Sequence, residues 1–146
     1  MLKPKPRNSG TMTEAAFRNW ILNILRGKSR MWKPIQEVRK AAQRKYVGDN
    51  KRRKWIYECS ICHSLVPAEE LNIHHIVPVV DIEGFTTYED YINRLFCEAD
   101  NLIACCVNCH NHIHENDKSI KKEMRDIKKE KEPAVEKKTK KNVKKT

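Results

Sequence analysis

An α+β fold with a small core and a metal staple is what this 146-residue sequence predicts. Three observations carry the prediction. All six Cys and all six His lie within residues 59–114. Two Cys-x-x-Cys spacings, Cys59 to Cys62 and Cys106 to Cys109, frame most of that stretch. Short runs with strand character lie between them, and helical apolar periodicity lies before, within and after it. The length fits one domain with tails, and a core this small commonly needs a metal or a disulfide.

Charge divides the chain in the same way. Formal net charge is +11. Residues 1–58 carry 16 Lys/Arg against 4 Asp/Glu, and residues 59–114 carry only Arg94 against 8. Residues 115–146 carry 13 against 7. Basic arms thus flank an acidic, ligand-rich middle, as expected of a metal site with a phosphate-gripping periphery. Nucleic acid is the first partner this suggests. No apolar run is long enough to span a bilayer. Met1 to Gly10 is basic, and no apolar signal core follows it. The reading is a cytoplasmic protein with no membrane partner. In a reducing compartment, six Cys point to metal ligation rather than disulfides.

Residues 1–12 read as a flexible lead-in. A first helix is expected from Thr13 to Arg26, with Thr11 and Glu14 at capping-box spacing and Gly27 as its stop. Phe17, Trp20, Ile21 and Ile24 would form its apolar face. A second helix is expected from Pro34 to near Gly48, with Ile35, Val38 and Ala42 on one side. Arg39, Lys40, Arg44 and Lys45 would give it a basic side. Lys51, Arg52, Arg53 and Lys54 form a basic run suited to phosphate contact. Strands are expected at Trp55 to Glu58, Leu71 to Val77 and Leu102 to Cys106. Between the last two, Thr86 to Phe96 reads as a helix, with Tyr88, Tyr91, Ile92 and Leu95 on one face. A final helix should start near Cys109 and run into the charged tail. Pro133 should break it, and Lys137 to Thr146, with six Lys and no acid, reads as disordered and attractive to nucleic acid.

The paired Cys-x-x-Cys spacing points to structural Zn²⁺. A two-residue gap lets both thiolates of a turn face one tetrahedral ion, and Cys59, Cys62, Cys106 and Cys109 leave it no open position. Cys105 would have the wrong spacing to Cys109 and, on a strand, the opposite face to Cys106. It is assigned to packing, and Cys97 to the buried interior.

The histidines suggest a second metal. His110 and His114 are four apart and share a helical face. His74 can complete a three-His set that leaves positions for water and a phosphate oxygen. His75, on the opposite strand face from His74, is then available as a general base. His63 and His112 have no such placement.

These residues resemble the HNH endonucleases, the ββα-metal or His-Me finger fold. The matching pieces are Cys59-x-x-Cys62, His74-His75-Ile-Val-Pro, Asn101-Leu102 and Cys106-x-x-Cys109-His110-Asn111. They span roughly Lys54 to Asn116. The stretch from Tyr88 to Asn101 and the upstream basic helix are most similar to small phage-type members. The resemblance implies a nuclease core at 54–118, a basic helical DNA-binding extension at 13–53 and a Lys-rich helical to disordered tail at 119–146.

It also implies DNA phosphodiester hydrolysis, with His74, His75, Asn101 and His110 as catalytic residues. His75 would take the proton of the attacking water, and Asn101 would brace the loop that orients it. His74, His110 and His114 would hold one catalytic divalent metal. Many members have Asp where this chain has His74. The His-rich set departs from the usual Mg²⁺ preference toward Mn²⁺, Ni²⁺ or Zn²⁺. Genome packaging or homing, packaging proteins as partners and the host-cell cytoplasm are further implications of the phage-type likeness. The rival reading is a non-catalytic zinc module that binds nucleic acid or assists packaging.

Overall fold

The computed structural model describes residues 2–131, and side chains through residue 126. The Lys137 to Thr146 stretch and the break expected at Pro133 lie outside the described residues. The fold is α+β, with four α-helices and two small antiparallel sheets among those residues. Two compact units divide the chain, Met1–His110 and Asn111–Thr146.

The first helix, α1, spans Glu14–Ser29. Thr13 caps it by accepting a hydrogen bond from the Ala16 N–H, not Thr11. Glu14 in the first turn and Arg26 and Lys28 in the last suit the helix dipole. Gly27 does not stop it. No neighbour lies within 4 Å of where a Gly27 side chain would sit, and the helix absorbs the modest cost of a glycine. The inward face is also rotated from the one expected. Leu22 is buried and Leu25 packs beside it, while Trp20 and Ile24 are half exposed.

The second helix, α2, spans Lys33–Ala41. It ends well before Gly48 because strand pairing takes the chain. Gln43–Lys45 forms β1, paired antiparallel with β2 at Trp55–Glu58. β2 also pairs with β3 at Leu65–Val66. Arg44 and Lys45 therefore lie on a strand and do not continue a basic helical face with Arg39 and Lys40.

The second sheet is a pair. β4, Leu71–His75, runs antiparallel to β5, Leu102–Cys106. Between them lies α3, Tyr88–Leu95, capped by Thr87, whose hydroxyl accepts from the Asp90 N–H. α4, Val107–Lys131, follows β5 directly.

Two small cores result. One joins Ala42, Cys59, Val66, Leu71, Ala104, Cys105 and Cys106. The other joins Leu22, Tyr91 and Leu95, with Phe85 and Phe96 packed against them. Trp32 ties the start of α2 to the end of α3. Its indole N–H donates to the Cys97 carbonyl at 2.8 Å, and its ring meets Phe96 edge-on at 5.4 Å. Cys97 itself is only half-buried, so it is not the interior residue expected.

Candidate functional site

The four-sulfur cluster is built from two turns and a strand. The first turn folds over itself, with the Cys59 N–H bonded to the Ser64 carbonyl and the His63 N–H to the Cys59 carbonyl. His63 takes φ +60 to close it. The Ser60 N–H then donates to Ala104 on β5, which lays this turn beside the second. All four sulfurs, of Cys59, Cys62, Cys106 and Cys109, lie within 4.8 Å of one another. Cys62 and Cys106 are 3.8 Å apart. Cys105, though fully buried, is outside the set.

Chemistry favours a cation here. Hydrogen bonds from the Ser64 side chain and backbone pull the Cys62 thiol down to about 6. Burial, and then the sulfurs of Cys106, Cys62 and Cys59, push Cys109 up to about 12. Neighbouring thiols that titrate this far apart cannot all ionise unaided. A dication removes the conflict, and four thiolates with no open position suit a structural metal such as zinc.

The histidine site begins at the end of β4. His74 and His75 are consecutive on the strand, opposite Ile103 and Leu102 on β5. Alternation sends them to opposite faces. His74 meets His110 of α4, with ring centroids 5.4 Å apart and planes 81° apart. Their nearest ligand nitrogens fall within 4.8 Å, a spacing that one metal ion can bridge. Within α4 the same spacing relates His110 to His114, one turn on. His114 Nδ1 lies 3.9 Å from Asp117.

His75 points elsewhere. Its Nε2 lies 3.0 Å from the carbonyl oxygen of Leu95. A carbonyl only accepts, so Nε2 carries the ring proton and Nδ1 is the basic nitrogen of the uncharged ring. Leu95 closes α3, where carbonyls lack helical partners and carry partial negative charge. His75 satisfies one of them.

Asn101 braces the segment just beyond β4. Its carbonyl accepts from the Ile76 N–H at 2.9 Å, and its side-chain Oδ1 accepts from the Val77 N–H at 2.8 Å. Strand pairing, expected to reach Val77, therefore stops at His75. Arg94 holds the loop beyond. Its guanidinium grips both oxygens of Asp81 at 2.8 and 2.9 Å, reaches Asp90 at 3.1 Å and touches the Pro78 carbonyl.

The basic residues divide by engagement. Arg39 stacks over Tyr57 and donates to the Ala68 carbonyl. Arg44 pairs with Glu58 at 2.9 Å, and Arg53 stacks over Tyr46 and reaches Glu69. These three serve the fold. Lys40, Lys45, Lys51, Arg52 and Lys54 are exposed. Sequence reasoning missed the Leu95 carbonyl and the Arg94 hub. The first is a backbone atom with no signature. The second had one, since Arg94 is the only basic side chain among the acids of residues 59–114.

No family model, curated protein or solved structure matches the chain. Among the described residues, no helix is long and apolar enough to cross a membrane.

Proposed function

We propose that this chain is a metal-dependent DNA endonuclease of the HNH type, with β4, β5 and the start of α4 as its ββα-metal core. The observation that carries the reading is the division of labour between adjacent residues. His74 joins His110 on one face of β4, while His75 leaves by the other with its tautomer set by the Leu95 carbonyl.

His75 acts as the general base through Nδ1, taking a proton from the water that attacks phosphorus. The Nε2–H bond to the Leu95 carbonyl leaves Nδ1 as the nitrogen that takes that proton. Asn101 holds Ile76 and Val77 and so fixes the strand end that carries His75. A divalent metal held by His74, His110 and His114 would polarise a phosphate oxygen and neutralise charge on the departing one. Lys40, Lys45, Lys51, Arg52 and Lys54 attract the phosphate backbone, so affinity should fall steeply with salt.

Plasmid nicking by the zinc-loaded protein, across Mg²⁺, Mn²⁺, Ni²⁺ and Zn²⁺, tests the reading. The expected result is cleavage that His75→Ala abolishes while DNA binding and zinc content persist. Equal cleavage by the variant removes His75 from the chemistry. DNA binding without cleavage under any metal leaves the non-catalytic zinc module as the function.

A further inference from the structure

We propose that the β2 face holds a stacking site for one base of an unpaired DNA strand, with Trp55 as the platform. The proposal rests on the nucleic-acid part of the proposed function, not on catalysis.

Trp55 and Tyr57 are alternate residues of β2, so both side chains leave the same face, roughly 7 Å apart along the strand. Both line an open groove of about 360 Å³ with Asn50, Arg52, Arg53 and Glu69. Tyr57 has its ring covered by the Arg39 guanidinium. Trp55 is 50% exposed. An indole left half in water beside a groove is a π-surface available to a flat apolar ligand.

Charge selects the ligand. Lys45 is the direct cross-strand partner of Trp55, which places a cation on the same face. Lys51, Arg52 and Lys54 precede it in the chain. Their turn is ordered, because the Asn50 side chain accepts from the Arg52 N–H at 3.1 Å and its carbonyl accepts from the Arg53 N–H at 3.0 Å. Glu69 is the acid facing the groove, and Arg53 holds it at 3.7 Å while resting on Tyr46. An exposed aromatic among cations, with the one acid of the groove lining facing Arg53, fits a base and its flanking phosphates. A paired base shows only its edges in the grooves of a duplex, so a base must leave the helix to lie on Trp55.

The test measures binding of the full zinc-loaded chain, without added catalytic metal, to three labelled DNAs by fluorescence anisotropy. These are a short oligothymidylate, an abasic strand of equal length and a duplex. Trp55→Ala should weaken oligothymidylate binding about tenfold, from the usual worth of one stacked base. It should leave the abasic strand and the duplex nearly unchanged. Wild type should show tryptophan quenching on binding, and Trp55→Phe should restore most of the affinity while abolishing that quenching. The Phe variant keeps a ring in the sheet, so its quenching result stands even if the Ala variant misfolds. Equal oligothymidylate affinity in wild type and Trp55→Ala, or quenching that survives Trp55→Phe, overturns the site. A chain that stacks oligothymidylate through Trp55 but nicks no plasmid keeps this inference and loses the nuclease. A chain that nicks plasmid with Trp55 indifferent does the reverse.

Discussion

Two adjacent cysteines should behave in opposite ways when each is replaced by serine. Cys106 belongs to the four-sulfur cluster, and Cys105 is buried outside it. A metal joining Cys62 to Cys106 closes a loop over the 43 residues between them. A covalent cross-link over a loop of that length would remove chain entropy equivalent to about 4 kcal/mol. Structural zinc sites can contribute on the order of 10 kcal/mol of apparent binding energy in total. Small domains have only about 5–15 kcal/mol of net stability. Cys106→Ser, which leaves three sulfurs and a poor fourth ligand, should therefore lose the metal and most of the cooperative fold.

Cys105→Ser is a different perturbation. The thiol is fully buried, and burial holds it up at about 11, so it packs as a neutral group. A serine hydroxyl there meets an apolar cluster and costs about 1–3 kcal/mol, with the metal retained. Zinc content by atomic absorption, paired with thermal melts, reads both effects. Zinc retained in Cys106→Ser, or lost in Cys105→Ser, would refute the ligand assignment.

Two further outcomes concern the loop around His75. Asn101→Ala removes the acceptor for the Val77 N–H, a loss of about 1 kcal/mol in stability. It should reduce plasmid nicking while zinc content stays constant, and Asn101→Asp, which keeps an acceptor oxygen, should recover much of the activity. Equal nicking by Asn101→Ala and wild type would separate the brace from catalysis. Arg94→Met removes the contacts to Asp81, Asp90 and Pro78. It should open the segment from Pro78 to Thr87 to limited proteolysis several-fold before the rest of the chain, and uniform protection would show that the two acids do not need it.

What could be read from the sequence was whatever rests on local chemistry. β5 falls at Leu102–Cys106, as its apolar run and the following Cys-x-x-Cys require. The choice of Cys106 over Cys105 needed only strand alternation and a two-residue gap, and the cluster follows it. Asn101 came from a family likeness alone, yet its two hydrogen bonds give it a physical task at the end of β4. Non-local choices were hidden. α2 stops at Ala41 because Gln43 and Arg44 find partners on β2, more than ten residues on, and helical periodicity contains nothing of that competition. Apolar character alone places Trp20 and Ile24 in the α1 core, but the packing of Leu22 against Tyr91 and Leu95 decides which face turns inward.

The same distinction bears on His75. Its neighbours in sequence assign it to a strand face, and that much comes from alternation. Its tautomer depends on a carbonyl at the end of α3, 20 residues away. That contact needs Leu95 buried beside Leu22 and Tyr91, so α1 contributes to the state of a histidine on another element. α1 thus bears on the histidine through packing, whatever its basic residues bind. Leu22→Ala should loosen the α3 end, at a cost of about 2–5 kcal/mol for a truncated core leucine, and with it the hydrogen bond that commits Nε2 to donation. If nicking tracks the loss of that bond while the four-cysteine site stays loaded, the small second core is part of the catalytic apparatus. If nicking is unaffected in the folded variant, His75 keeps its orientation through β4 and Asn101 alone.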